Sequence, residues 1–235
     1  ADFEGRDPDE GVSDIAYEKG YAFLRSIEEA VGRDKFDAFV REYFNANQFK
    51  SLTTEGFLEY LNVNLIKGNK ALSDQIDVNA WVYQPGIPGN APPVASESLK
   101  QIDSVLAVWM KTGDTNALGQ RKLTTDETLY LIRSLPETVT LKQLADLDQE
   151  FQFTESKNAE IQTAWYVLAI QKKYVKAYPF IEEFLIHVGR RKFLMPLYSE
   201  MIKRSEGKEW AERVYAKARP NYHSVAFNSL DELLK

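Results

Sequence analysis

The chain has 235 residues, 44% of them apolar, which is enough to bury the core of one large domain or two modest ones. Its 35 acidic and 29 basic residues give a net charge of −6, so no overall basic field attracts a phosphate backbone and no nucleic-acid partner is expected. The absence of cysteine excludes disulfides and thiolate metal ligands. No stretch approaches the ~20 apolar residues that span a bilayer, and the first residues lack a signal-peptide pattern, so we expect no membrane partner and a cytoplasmic location.

Three segments before residue 67 carry apolar residues at the spacing of an amphipathic helix. The candidate N-caps are Asp34 for the second helix and Thr53 or Thr54 for the third. The segments are SDIAYEKGYAFLRSI, GRDKFDAFVREYFNAN and LTTEGFLEYLNVNLI. This part of the chain therefore predicts three consecutive helices.

Residues 79–96 interrupt the helical pattern. This run, NAWVYQPGIPGNAPPVAS, contains prolines at positions 85, 88, 92 and 93. Proline fixes φ and lacks a backbone N–H, so we expect an extended segment that residues 81–83 hold against a surface. We assign residues 1–84 to a first domain, 85–96 to a linker and 97–235 to a second domain.

Seven segments of the second domain have helical periodicity, and none alternates like a strand. No strict internal period occurs, but seven short helices with brief turns favour stacked antiparallel pairs, as in armadillo or HEAT repeats. The segments are ESLKQIDSVLAVWMK, TTDETLYLIRSL, TLKQLADLDQEFQF, NAEIQTAWYVLAIQKKY, AYPFIEEFLIHVG, KFLMPLYSEMIKRS and KEWAERVYAKARP. The predicted fold class is all-α.

The common catalytic signatures are absent from the sequence. The two histidines, His187 and His223, lack the i+4 partner that lets two imidazoles share a metal, and His187 lies in the apolar run EEFLIHVG, where a packed histidine is more common than a ligand. There is no phosphate-binding glycine loop and no serine nucleophile elbow. On these patterns alone the chain is a helical scaffold with no metal site of its own.

Two polar segments carry a possible function. In RDPDEGVSDIAYEKG an acidic loop precedes Tyr17, and in VGRRKF three cations follow Gly189, which is a candidate left-handed helix cap. Each segment also has a purely structural interpretation. The acidic loop would favour a helix N-terminus, and the cations would be solvated or would neutralise helix C-terminal carbonyls.

Six segments, taken in order, resemble zinc aminopeptidases of peptidase family M1, the leukotriene-A4-hydrolase-like group. They are YEKG after DPD, SLTTEGFLEYL, NAWVYQPGIP, NAEI with a tryptophan five residues after the glutamate, GRRKFLMPLY and ARPNYHSVA. The resemblance covers essentially the whole chain and implies the C-terminal part of such an enzyme. The end of a thermolysin-like catalytic domain would be followed by an armadillo-like helical domain.

The resemblance also implies where the metal would lie. In this family an HExxH helix and a glutamate on the following helix hold zinc, and a GxMEN-type loop recognises the substrate amine. None of these motifs occurs in this sequence, so they would lie upstream of residue 1. The expected partners are that upstream segment and short peptide substrates, and we expect the chain alone to be inactive.

Five positions take roles from the resemblance. Tyr17 would be the catalytic tyrosine, whose neutral phenol donates a hydrogen bond to the oxyanion. Arg190 and Lys192 match the GR-x-KF positions that hold the carboxylate end of a short peptide, whereas Arg191 would point elsewhere. Asp9 and, more weakly, Pro8 correspond to positions that line the cleft.

One departure from the family pattern bears on activity. The leukotriene-hydrolysing enzyme has a second tyrosine five residues before the YEKG tyrosine, where this chain has Val12. Aminopeptidase-B-like relatives without epoxide-hydrolase activity are therefore the better comparison. The alternative from another class is a stand-alone helical-repeat module that binds a protein partner.

Overall fold

The computed structural model describes residues 14–93, 96–119 and 122–235, and in these ranges every regular element is helical. The fold class is all-α, as predicted. No helix in these ranges is both long enough and apolar enough to cross a membrane. The α-helices in chain order are α1 (Asp14–Val31), α2 (Arg33–Ala46), α3 (Thr54–Leu61), α4 (Lys70–Ile76), α5 (Val78–Tyr83), α6 (Glu97–Thr112), α7 (Asn116–Gly119), α8 (Thr125–Arg133), α9 (Leu141–Phe151), α10 (Ala159–Lys172), α11 (Tyr178–His187), α12 (Arg191–Met201), α13 (Ser205–Ala218) and α14 (Ser224–Leu233).

The chain divides into two compact units, one up to Ala95 and one from Ser96 onward. In the first unit α1 packs against α2 and α4. Phe23 and Ile27 of α1 are buried with Trp81 of α5, and the Phe23 and Trp81 rings stack with centroids 5.9 Å apart. Aromatic side chains therefore provide much of this small core.

The prediction of an extended segment over residues 79–96 is wrong for residues 79–83. Residues 78–83 form the short helix α5, and Trp81 lies in the core of the first unit instead of pinning a strap to a surface. The physical reason is that proline restricts chiefly the residue before it, which here is Gln84, already in an extended conformation. The described residues after Gln84, up to 93, contain no helix.

The second unit is built around α10, which packs against both α8 and α12. Its apolar residues surround the helix, and Trp165 and Tyr166 are completely buried. A helix that is apolar on all sides belongs in an interior. Pairs such as α11 with α13 and α12 with α14 continue the stack, as expected for layered helical repeats.

The predicted helices are present, although several of their ends differ from the prediction. Thr53 caps α3 as expected, whereas Gly32, and not Asp34, occupies the N-cap position of α2. Four helices, α4, α5, α7 and α14, were not predicted from the sequence.

Candidate functional site

Tyr17 lies in the first turn of α1, on the side of the helix away from the core. Its side chain is 70% exposed, and Tyr21, one turn later on the same face, is 60% exposed. The opposite face buries Ile27 completely. Among the residues that the structure describes, none forms a hydrogen bond with the Tyr17 hydroxyl.

Side-chain bonds and packing hold α1 in place beneath Tyr17. Lys19 donates to the carbonyl of Gln84 at 2.6 Å, which ties the start of α1 to the segment after α5. Arg25 and Glu28, both within α1, pair at 2.8 Å and stabilise the helix itself. Phe23 and Ile27 anchor it in the core of the first unit. Tyr17 therefore projects a phenol from a fixed helix, which is the geometry that a preorganised donor needs.

Asp9 and Pro8, the two predicted cleft-lining residues, lie outside the described residues, as does Val12.

Arg190 and Lys192 lie together at the start of α12 in the second unit. The Arg190 guanidinium carbon and the Lys192 Nζ are each 5.7 Å from the centroid of the buried Phe193 ring. Both cations are exposed, and the aromatic face beneath them attracts positive charge. The structure thus brings these two predicted residues to one ring, whereas Tyr17 belongs to the first unit.

The two cations differ in what they already bind. The Lys192 Nζ donates to Glu160 Oε1 at 2.7 Å. In the described part of the chain no carboxylate or carbonyl accepts a hydrogen bond from the Arg190 side chain. Arg190 therefore keeps its full bidentate fork available for an incoming carboxylate.

Arg191 has a hydrogen-bond partner of its own on another helix. Its Nε donates to the hydroxyl of Ser229 on α14 at 2.7 Å. This bond secures the last helix to the start of α12 and leaves Arg191 a structural role.

The predicted left-handed cap at Gly189 is wrong. Helix α11 ends at His187, and the C-cap residue Val188 is extended. Gly189 does not have a positive φ. An extended Val188 can carry the chain from α11 to α12 without a left-handed residue.

Glu160 is the residue of this cluster that sequence reasoning missed. It lies in the first turn of α10, directly after the N-cap Asn158 and Ala159, where a carboxylate favours the helix dipole. The only signal was its place in the NAEI segment. Its partner is 32 positions away, so no local spacing indicates the pair.

The described residues do not fit a zinc site. They contain no group of three or more histidine, cysteine, aspartate or glutamate side chains placed to hold a metal ion. The His187 Nδ1 lies 2.8 Å from the carbonyl of Glu183 in its own helix, and His223 accepts from the backbone N–H of Val225 as the N-cap of α14. Both imidazoles therefore take part in local helix contacts.

Two family models match the chain in succession. The model described as "Peptidase family M1 domain" matches residues 3–81, and the one described as "Leukotriene A4 hydrolase, C-terminal" matches residues 123–234. The first range contains Tyr17, and the second contains Glu160, Arg190 and Lys192.

Similar proteins point to the same group. Leucine aminopeptidase 2 of Lodderomyces elongisporus is 32% identical over 93% of this chain and 37% of its own length. Leucine aminopeptidase 2 of Chaetomium globosum is 28% identical over 94% of this chain and 37% of its own length. The chain thus spans a little more than a third of these relatives.

A solved structure described as native yeast LTA4 hydrolase superposes with a TM-score of 0.78. The superposition covers 97% of this chain and 40% of the yeast chain at 23% identity. At this identity the likeness establishes the fold.

Proposed function

Because this chain belongs to peptidase family M1, we propose that it is the C-terminal part of a zinc-dependent aminopeptidase that removes N-terminal residues from short peptides. One observation carries the proposal: a tyrosine on a fixed helix exposes a hydroxyl without a described partner, within the range matched by the peptidase model. The relatives' names and the third of their length that the chain spans also support it.

In this proposal residues 1–84 are the end of the catalytic domain, 85–96 are a linker and 97–235 are the helical domain. The division into two compact units between residues 95 and 96 supports the start of the second domain at residue 97. The described residues do not fit zinc, so the metal ligands come from another part of the whole protein, and this chain alone is inactive. The whole enzyme acts in the cytoplasm.

Tyr17 acts as a hydrogen-bond donor in the reaction. Attack of water on a peptide carbonyl places negative charge on the carbonyl oxygen, and a neutral phenol stabilises that oxyanion by donating its proton in a hydrogen bond. Loss of one such donor typically costs about 3–4 kcal/mol in the barrier. Phenylalanine fills nearly the same volume without the donor.

Arg190 and Lys192 bind the far end of the substrate. The free Arg190 fork pairs with the C-terminal carboxylate of a short peptide, and Lys192 adds a point charge while it remains near Glu160. Phe193 beneath them limits how far the two cations fold back. This arrangement favours peptides with a free carboxyl end.

The test compares two tyrosines of α1 in the whole protein. Tyr17→Phe should lower kcat by about 10²- to 10³-fold with little change in KM, because the lost hydrogen bond forms only in the transition state. Tyr21→Phe is the matched control, one turn away and similarly exposed, and should keep the wild-type kcat. Equal kcat values for wild type and Tyr17→Phe would remove the proposed role, and turnover by the isolated 235-residue chain would refute its inactivity.

A second candidate function is a stand-alone helical-repeat module that binds a protein partner. It is favoured by exposed apolar side chains in the first unit, among them Phe44, Phe49 and Val63. A catalytic-domain portion separated from its remainder would expose such side chains as well. An HExxH motif in the coding sequence before residue 1 would exclude the module, and a start codon immediately before residue 1 would exclude the enzyme.

A further inference from the structure

The second unit contains a cavity of about 370 Å³ where the end of α10 meets α11, α12 and α13. Neither Arg190, Lys192 nor Glu160 lines it. Its volume is at the lower end of the range for small-molecule sites, which is large enough for a compact ligand and too small for a folded segment. Nothing in the proposed aminopeptidase reaction uses it.

One wall of the cavity is a fixed aromatic pair. The rings of Tyr178 and Trp210 stack with centroids 4.4 Å apart and planes 21° apart. The Trp210 indole N–H donates to Glu182 Oε1 at 2.7 Å, and Arg213 donates to the same oxygen at 2.7 Å. The indole is therefore held in one orientation before any ligand arrives.

Apolar contacts and a close helix approach complete the wall. Ile170 and Met201 are buried and contribute apolar surface to the cavity. A Cβ at Gly207 would lie 2.0 Å from the Met201 carbonyl oxygen, so glycine is what allows the start of α13 to approach the end of α12. The close approach of α12 and α13 at Met201 and Gly207 therefore forms part of the cavity wall.

The charges that line the cavity are mostly paired with one another. Glu206 accepts from Lys173 at 2.7 Å, and Glu182 accepts from Arg213. The remaining lining carboxylate, Glu200, accepts from Lys203 at 2.6 Å. Each lining carboxylate therefore has its own cation.

Arg204 is the exception. Its guanidinium donates to the carbonyls of Ile170 and Gln171 at 3.4 and 3.0 Å, and among the described residues no carboxylate pairs with it. Burial raises the pKa of the nearby Tyr178 hydroxyl, so this phenol stays neutral and adds no anion. The Lys173 hydrogen bond and, less strongly, the charge of Arg204 lower the pKa of the Glu206 carboxyl, but among the described residues Arg204 is the lining cation that forms no ion pair.

We propose that this cavity binds a small molecule with a planar aromatic ring and a carboxylate, the ring lying against Trp210 and the carboxylate at Arg204. The aromatic wall favours an offset-stacked ring, and the free donors of Arg204 suit a carboxylate. The paired acidic side chains do not repel it. This proposal is independent of the aminopeptidase function, because it concerns residues outside the Arg190 cluster.

The experiment uses the full 235-residue chain and 3-phenylpropionate as the probe, followed by NMR of the tryptophan indole N–H signals. A ligand of this size is expected to bind with a dissociation constant on the order of 1 mM or below. The Trp210 indole signal is assigned as the one that disappears in Trp210→Phe. Its chemical shift should change with added 3-phenylpropionate and reach a plateau. The signals of the three buried core tryptophans, Trp81, Trp109 and Trp165, should not move.

Two related probes separate the contributions of the ring and the charge. The amide 3-phenylpropionamide lacks the charge, and propionate lacks the ring. Each should bind about tenfold more weakly or worse than the acid. Equal binding of the amide and the acid would overturn the role of Arg204, and absence of saturable binding of the acid up to about 10 mM would overturn the site.

Variants test the location. Val175 is at the rim and 66% exposed, so Val175→Phe should narrow the entrance and weaken binding at least about fivefold without disturbing the core. Val108→Phe, at a 50% exposed position on α6 that does not line the cavity, is the matched control and should bind like wild type. Unchanged binding by Val175→Phe would place the ligand elsewhere.

Arg204→Gln should reduce binding of the acid about tenfold and leave amide binding unchanged. Since Arg204 also binds the last carbonyls of α10, Arg204→Lys serves as a second variant that keeps the charge, and it should retain most of the affinity. Loss of the preference for acid over amide in Arg204→Gln but not in Arg204→Lys supports the proposal. An unchanged preference in both variants refutes it.

Discussion

Lys192 and Glu160, 32 positions apart in the sequence, form an ion pair in which Nζ lies 2.7 Å from Oε1. Both side chains are partly exposed, so water screens their attraction. Such a pair contributes about 0.2–1 kcal/mol to the free energy of unfolding. In the proposed function, a peptide carboxylate that approaches Lys192 would have to compete with Glu160. Arg190 has no such partner among the described residues, so the proposal makes it the stronger attachment point for that carboxylate.

The first prediction compares these two cations in the whole protein, the proposed aminopeptidase. Arg190→Ala should raise KM for peptides with a free C-terminal carboxylate by about 10-fold or more, because a charge-assisted pair is lost. KM for uncharged chromogenic substrates should change less than about 3-fold, since these substrates lack the carboxylate. The measurement is steady-state kinetics on both substrate classes.

The control for this prediction removes the Glu160 carboxylate, which competes with the substrate carboxylate for Lys192. Glu160→Gln keeps the size of the side chain and releases Lys192, so KM for carboxylate-bearing peptides should fall by a factor of about 2–5, in line with a partly exposed ion pair. A higher KM in Glu160→Gln would contradict the competition between the two carboxylates. Equal losses on both substrate classes in Arg190→Ala would indicate a structural role for Arg190.

The second prediction concerns pH and the attachment of the last helix. Asp231 on α14 accepts hydrogen bonds from Arg219 Nε at 2.9 Å and from the Tyr215 hydroxyl at 2.6 Å. The Arg219 hydrogen bond, and next that of Tyr215, hold the pKa of the Asp231 carboxyl well below its usual range. The carboxylate therefore binds protons less readily in the folded chain than in the unfolded chain.

The sign of the pH dependence follows from that difference. A lowered folded-state pKa gives stability that is fully present above the unfolded pKa of about 3.9 and is lost as pH falls from there toward the folded value. The urea midpoint of wild type should fall more steeply between about pH 5 and pH 2.5 than that of Asp231→Asn. At pH 7 the variant should have the lower midpoint.

The neighbouring Glu232 provides the matched control for Asp231. It is exposed and adjacent in sequence, so Glu232→Gln should keep the wild-type acid dependence. Parallel pH profiles for wild type and Asp231→Asn would show that this carboxylate does not anchor α14.

Helical spacing predicted most of the fold, because an amphipathic helix must carry apolar residues every three or four positions. The last helix, α14, was missed for a physical reason. Its N-cap is His223, whose ring accepts from the backbone N–H of Val225, and histidine is not among the residues that normally mark a helix start. The α4–α5 junction was missed because Asp77 adopts a left-handed conformation that sequence rules reserve for glycine and asparagine.

The candidate site was predictable only in part. The resemblance singled out Tyr17, Arg190 and Lys192, and the structure exposes all three side chains. The resemblance could not indicate that Lys192 pairs with Glu160, nor that a cavity lies beside Trp210. Both features depend on side chains far apart in sequence that meet through tertiary packing. Local patterns report on neighbours along the chain, not on such contacts.

The third prediction concerns the buried polar network around Thr154. Its backbone N–H and its hydroxyl each donate to Asp148 at 2.8 Å, and the hydroxyl accepts from the indole N–H of Trp165 at 2.9 Å. Tyr174 also donates to Asp148, and burial, followed by the negative charge of Asp148, raises the pKa of this tyrosine to about 12. The network joins α9 to α10 at the centre of the second unit.

Thr154→Val removes the hydroxyl at nearly constant volume and leaves a buried indole N–H without a partner, and a buried carboxylate with one hydrogen bond fewer. Because unpaired buried polar groups cost about 1–3 kcal/mol each, the free energy of unfolding should fall by about 2–4 kcal/mol.

Thr128→Val is the matched control. This threonine is similarly buried, but among the described residues its hydroxyl forms one hydrogen bond, to the carbonyl of the N-cap Thr124, so the loss should stay below about 1.5 kcal/mol. Urea unfolding followed by near-UV circular dichroism measures both, and equal losses in the two variants would mean that the network adds nothing beyond an ordinary buried hydroxyl.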